Sequence, residues 1–99
     1  MADTAITIEH TEQGDKGRYA AKLADSDREA ELTWHARGED VRVADHTFTP
    51  PEMRGQGIAA ELVKAMVADA RHHGFKIGPQ CPYVRDYFAD RPELDDLKA

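Results

Sequence analysis

Two hydrophobic periods divide this chain. From Thr4 to Thr49 apolar side chains recur at alternate positions, and from Ile58 to Ala70 at every third or fourth. The stretch TAITIEHT sets Ala5, Thr7 and Glu9 against Ile6, Ile8 and His10, the period of a half-buried strand. EQGDKG supplies turn residues, RYAAKLA reads as a second strand, and DSD turns the chain again. REAELTWHA puts Ala30, Leu32, Trp34 and Ala36 on one face of a third strand, with Trp34 in the core. After the turn RGED, VRVADHTFT forms a fourth. Such short gaps join antiparallel neighbours, because a parallel crossover needs a dozen or more residues.

Beyond Pro50 and Pro51 the period becomes helical. Ile58, Leu62 and Met66 are spaced by four, with Ala59, Val63, Val67 and Ala70 beside them. Arg71, His72 and His73 suit the negative end of the helix dipole, and Gly74 suits the C-terminal cap. FKIGPQC then reads as a short fifth strand ending at Cys81, and PYVRDYFADR as a second helix that tolerates Pro82 in its first turn. PELDDLKA reads as a loose acidic tail with one helical turn. The order β-β-β-β-α-β-α is an α+β arrangement: an antiparallel meander followed by a βαβ unit and a C-terminal helix, spanning residues 1–99 as a single domain.

Composition narrows the class. With 40% hydrophobic and 32% charged residues the chain is globular, and its net charge of −6 argues against a nucleic-acid partner. No apolar run approaches the roughly 20 residues of a membrane span. The segment MADTAITIEH lacks the features of a signal peptide. Cys81 is the one cysteine, which excludes an internal disulfide and fits a reducing cytoplasm.

The segment between the two periods carries the candidate chemistry. RGQG leads into the long helix, whose first backbone N–H groups have no partner within the helix and sit at its positive end. Gly55 and Gly57 lack the Cβ atoms that would hold an anion away, and Arg54 adds a permanent charge. Gln56, Gly57, Ile58, Ala59 and Ala60 would offer their amides, with small side chains keeping the rim open. A purely structural strand-to-helix turn is the competing reading. GQGIAA also fits a G-x-G-x-x-A dinucleotide fingerprint, but four antiparallel strands precede it and no second half follows. The Lys-Ser/Thr pair of a phosphate loop is absent.

RGQGIA resembles the R/Q-x-x-G-x-G/A signature of GNAT acyltransferases, with Arg54, Gly57 and Ala59 at the specified positions. Together with the strand before it and PQCPYVRDYF after it, the match covers about His46 to Pro92 and is similar to small single-domain GNAT-like N-acetyltransferases. The resemblance implies a minimal GNAT-like fold whose fourth and fifth strands splay apart. It implies acetyl-CoA or another acyl-CoA as co-substrate, with no metal. Its pyrophosphate would lie on the turn from Arg54 to Ala60, and its pantetheine arm would pair with backbone at Phe48 and Thr49. The acceptor would be an amine. Larger relatives carry helices between their first strands, for which EQGDKG is too short. The acceptor side is therefore expected to be open, or completed by a partner protein.

Three side chains are candidates for catalysis. Cys81 stands near the expected thioester and could take up the acyl group if a base activates its thiol. His46 on the fourth strand is the histidine assigned to that task, and the small branch carries a cysteine and a histidine at these places. Tyr83, in the C-P-Y segment, would protonate the departing CoA thiolate. Cys81 as a small buried hydrophobe and His46 as an ordinary strand residue form the competing reading. Asp45 is the one acid beside His46, and strand alternation points it away. Tyr87 reads as packing, His10 and His35 as ordinary strand residues, and His72 and His73 as projecting in different directions. The alternative functions are an acyl-CoA-binding or sensing module with little turnover, and an interaction module whose glycine turn binds nothing.

Overall fold

The computed structural model describes residues 6–24 and 26–99. Thr4 and Ala5 of the expected first strand, and Asp25 of the second turn, lie outside the described residues. Five strands form one sheet in the order β1-β2-β3-β4-β5: β1 (Ile6–Gln13), β2 (Lys16–Leu23), β3 (Glu29–Arg37), β4 (Val41–Phe48) and β5 (Lys76–Pro79). The first four are antiparallel, and β5 runs parallel to β4. Helix α1 (Ile58–His73) makes the crossover between β4 and β5, and α2 (Pro82–Ala89) follows β5.

One sheet face is the core face. Cross-strand pairs Tyr19–Leu32 and Ala21–Ala30 lie on it, and α1 covers them with Ile58, Leu62, Val63, Met66 and Ala70. Val84, Tyr87 and Phe88 of α2 join the same buried cluster. The alternate residues Glu31, Thr33 and His35 turn to the opposite face, which no helix covers among the described residues.

Four local outcomes differ from the sequence pattern. EQGDKG is mostly strand: Gln13 pairs with Lys16, and the hairpin turns on Gly14 and Asp15 alone. Gly17 therefore sits inside β2, directly across from Trp34, and a Cβ there would fall within the Trp34 ring. The acidic tail is docked rather than loose. Pro92–Leu97 forms a 3-10 helix that buries Leu94 and Leu97, the Ala99 N–H donates to the Ile77 carbonyl at 2.9 Å, and Arg71 pairs with Asp96 at 3.1 Å. Apolar spacing within PELDDL decides this, since Leu94 and Leu97 three apart share a face of a 3-10 helix. The rings of His72 and His73 meet edge-on at 4.8 Å instead of diverging.

The fourth difference bears on the site. Thr33 pairs with His46 and Trp34 with Ala44, so Asp45 has no partner of its own and forms a β-bulge. The extra residue interrupts the alternation. Asp45 accepts from Thr33 Oγ1 and pairs with His35 Nδ1, each at 2.6 Å, on the same helix-free face as His46.

Candidate functional site

The β4–β5 ladder runs from Val41–Lys76 to Ala44–Pro79 and stops. The N–H groups of Gln80 and Cys81 both turn onto the Ala44 carbonyl, at 3.2 and 2.9 Å, and this ends β5. Strand β4 continues for four residues, Asp45 to Phe48, with no β5 partner. Beside this free segment opens a cleft of about 360 Å³, lined by Thr47, Thr49, Met53, Arg54, Gly55, Gly57, Ile58, Ala59 and Tyr83. A wider concavity of about 540 Å³ lies over the β1–β2 hairpin from Thr11 to Arg18, but neither a helix end nor the strand gap opens into it.

The cleft's floor is the start of α1. Gly57 is the helix N-cap at φ 74°, a left-handed conformation that glycine adopts without the strain a Cβ brings. No side chain caps this end, and the first N–H to bond back is that of Glu61, to the Gly57 carbonyl at 3.2 Å. The amides of Ile58, Ala59 and Ala60 thus have no intrahelical acceptor. Gly55, also left-handed at φ 81°, turns the chain toward them. Arg54 donates from Nε to the Thr49 carbonyl at 3.0 Å, which ties the turn to the end of β4. A short 3-10 helix, Pro51–Met53, buries Met53 beneath it. Backbone amides, a helix dipole and a guanidinium converge there, as an oxyanion requires.

The three candidate catalytic residues are not gathered as the sequence implied. Cys81 does not end β5; it is the N-cap of α2 and is buried. Its Sγ lies 3.4 Å from Thr47 Oγ1. Burial pushes the thiol's pKa up, but the Thr47 hydroxyl and the N–H groups of Val84 and Tyr83 outweigh it, and the net shift is down. His46 has no part in this. It lies on the opposite sheet face from Thr47, with Nε2 at 3.4 Å from Glu31 Oε2. Thr47 stands where His46 was expected. Alternation alone would set His46 on the face of Ala44; the bulge at Asp45 shifts the phase and brings Thr47 there instead.

Tyr83 is partly exposed and opens into the cleft. Partial burial, with Tyr87 nearby, raises its pKa, so its hydroxyl keeps its proton at neutral pH. Tyr87 is buried beneath Arg91, whose guanidinium lies 3.7 Å from the ring centre. Phe48 pairs across from Glu31 and turns its ring to the helix-free face. The Gln56 amide is directed at the Glu52 carbonyl. Phe48, Gln56, Ala60, His46 and Cys81 do not line the cleft, whereas Thr49, Arg54, Gly55, Gly57, Ile58, Ala59 and Tyr83 do. Among the described residues no group of His, Cys, Asp and Glu has the geometry to hold a metal.

A mixed sheet that parts between two parallel strands, with a cleft over an uncapped helix start, defines an α+β domain. The chain belongs to the GCN5-related N-acetyltransferase family, whose pattern matches residues 18–97. It is 28% identical over 87 residues to protein NATD1 of Mus musculus, covering 88% of this chain and 77% of that protein. The solution structure of a GCN5-like candidate N-acetyltransferase from Staphylococcus aureus superposes with a TM-score of 0.66 at 25% identity, covering 92% of this chain and 87% of that one. The family membership makes this an acyltransferase fold and agrees with the resemblance carried by RGQGIA.

Proposed function

We infer that this protein transfers an acyl group, most simply acetyl, from coenzyme A to an amine. The observation carrying this reading is the gap itself. Strand β4 runs four residues past its last β5 partner, directly beside the uncapped N-terminus of α1. An acyl-CoA would set its pyrophosphate on Arg54 and the amides from Gly57 to Ala60. Its pantetheine would pair with the free β4 edge near Phe48 and Thr49. The thioester would then lie between Thr47 and Tyr83.

In that position Tyr83, which lines the cleft, is the group to return a proton to the departing CoA thiolate. Cys81 stands behind Thr47 with a thiol shifted toward the thiolate. It is the candidate for a transient acyl carrier, forming a new C–S bond as the CoA C–S bond breaks.

Thermal unfolding with acetyl-CoA tests the reading, with NAD and ATP as controls. A ligand at 100 times its Kd adds about 2.7 kcal/mol. For a domain of this size that raises Tm by roughly 10–20 °C. A rise with acetyl-CoA alone, followed by acetylation of an amine panel, is the expected result. Binding without turnover would leave a binding module, and no rise with any ligand would leave RGQG as a structural turn.

A further inference from the structure

We propose that the acceptor amine approaches from the helix-free face of the sheet and gives up its proton to His46, with Glu31 as the residue that positions the imidazole. The proposal rests on the acyl-CoA reading of the cleft.

Successive residues of the free β4 segment face opposite ways. Thr47 turns toward Cys81 and the cleft, and His46 turns to the other side, where it meets Glu31. An acyl group lying in the gap would therefore have Thr47, Tyr83 and the start of α1 on one side and His46 on the other. The first side is taken up by two helix ends and the CoA. The second carries no helix among the described residues, and the His46 side chain is 56% exposed there. An acceptor has open access on that side.

The charges suit a primary alkylammonium. Around His46 this face carries three carboxylates, Glu29, Glu31 and Asp45, against two cations, Arg18 and Lys22, the latter across from Glu29. Arg18 Nε donates to Glu31 Oε1 at 2.7 Å and Nη2 to Glu29 Oε1 at 3.1 Å, which holds the Glu31 carboxylate in place. Its second oxygen, Oε2, faces His46 Nε2. A carboxylate beside Nε2 keeps the proton on that nitrogen and leaves Nδ1 as the free base. The β-bulge contributes here. It brings Asp45 onto the same face, where both carboxylate oxygens are engaged by Thr33 and His35, so that Asp45 adds charge and leaves the base to His46.

The protons balance. An ammonium loses one proton before its nitrogen attacks the thioester carbon and a second after the C–N bond forms. As the C–S bond breaks, the sulfur takes one proton from Tyr83, which is reprotonated in turn. The other leaves through His46 Nδ1 to solvent. The net products are the amide, CoA thiol and one released proton.

Single-turnover transfer from acetyl-CoA to ethylamine by the full chain tests this, alongside acetyl-CoA affinity. His46→Asn should slow transfer by about 100-fold or more, the contribution of a positioned base. Glu31→Gln should slow it by about fivefold, the upper range for a partly exposed charge pair, with Glu31→Asp recovering part of the rate. Asp95→Asn, an exposed carboxylate paired with Lys98 in the C-terminal segment, should stay within about twofold. Acetyl-CoA affinity should be unchanged in all four. In long-range proton–nitrogen spectra, wild-type His46 should carry its proton on Nε2, and Glu31→Gln should spread it over both nitrogens.

A wild-type transfer rate in His46→Asn overturns the proposal, as does acetyl-CoA binding without ethylamine acetylation. An unchanged His46 pattern in Glu31→Gln removes the role of Glu31. If the wild type binds no acetyl-CoA, the cleft reading fails first, and the proposal with it.

Discussion

Gly17 shows how a single missing atom holds two strands in register. The Trp34 ring lies against its Cα, and Trp34 Nε1 donates to His10 Nε2 at 3.0 Å while Arg42 stacks 4.2 Å over the indole. Gly17→Ala has no room, and about 1–3 kcal/mol of destabilisation is expected from overpacking, measurable by urea unfolding. His10 is the titrating member of this group. It stacks on Tyr19 at 4.1 Å, and its Nδ1 faces Asp69, which accepts from the Tyr19 hydroxyl. Burial lowers its pKa below 6.5, with Glu12 and Asp69 opposing. The unfolded chain therefore binds the proton more readily, and stability should be full above about pH 6.5 and decline as pH falls through the lowered value. His10→Gln keeps an acceptor for Trp34 without titrating, and should flatten that slope in urea midpoints measured between pH 7.5 and 5.

At the level of elements, the turn into α1 combines a folding requirement with a binding one. Gly57 at φ 74° means that Gly57→Val costs about 1–2 kcal/mol in the backbone before any ligand is considered. It should also weaken acetyl-CoA binding by crowding the amides. Arg54→Ala separates the two effects, because among the described residues the side chain's one hydrogen bond is an exposed contact with the Thr49 carbonyl. Its stability should hardly change, while acetyl-CoA affinity falls by about 10- to 100-fold, the scale of a charge-assisted hydrogen bond of roughly 1.5–3 kcal/mol. Isothermal calorimetry beside a urea titration reads both. Helix α2 has a comparable double duty. Its N-cap is Cys81, which makes no side-chain capping hydrogen bond, while the Thr47 hydroxyl and the N–H groups of Val84 and Tyr83 lower the pKa of its thiol.

For the molecule as a whole, the C-terminal segment closes the open end of the core. Leu94 and Leu97 pack into the cluster that includes Ile77, Phe88 and Ala70, and Lys76 Nζ donates to the Asp96 carbonyl. Leu97→Ala should cost about 2–5 kcal/mol, the range for a buried leucine, seen as a lower urea midpoint with an unchanged slope. Among the described residues the same arrangement leaves one face of the sheet without helices, which is where the proposed acceptor would enter. Both helices gather on the other face because their apolar stripes have one apolar sheet surface to cover. The opposite surface presents Arg18, Lys22, Glu29, Glu31, Thr33, His35 and His46.

Much of this could be read from residue order. The periods of two and 3.6 place four strands and the long helix because local burial patterns repeat along the backbone. RGQGIA marks the uncapped start of α1 because Gly57 leads into the helical period. The partners of Cys81 and His46 could not be read so. They depend on where the β4–β5 ladder stops and on one extra residue, Asp45, between Ala44 and His46. A bulge leaves no periodic trace in the sequence, yet it reverses which neighbours share a face. Pairing between strands therefore set these neighbours: Thr47 beside the thiol, Glu31 beside the imidazole, and the sheet between them.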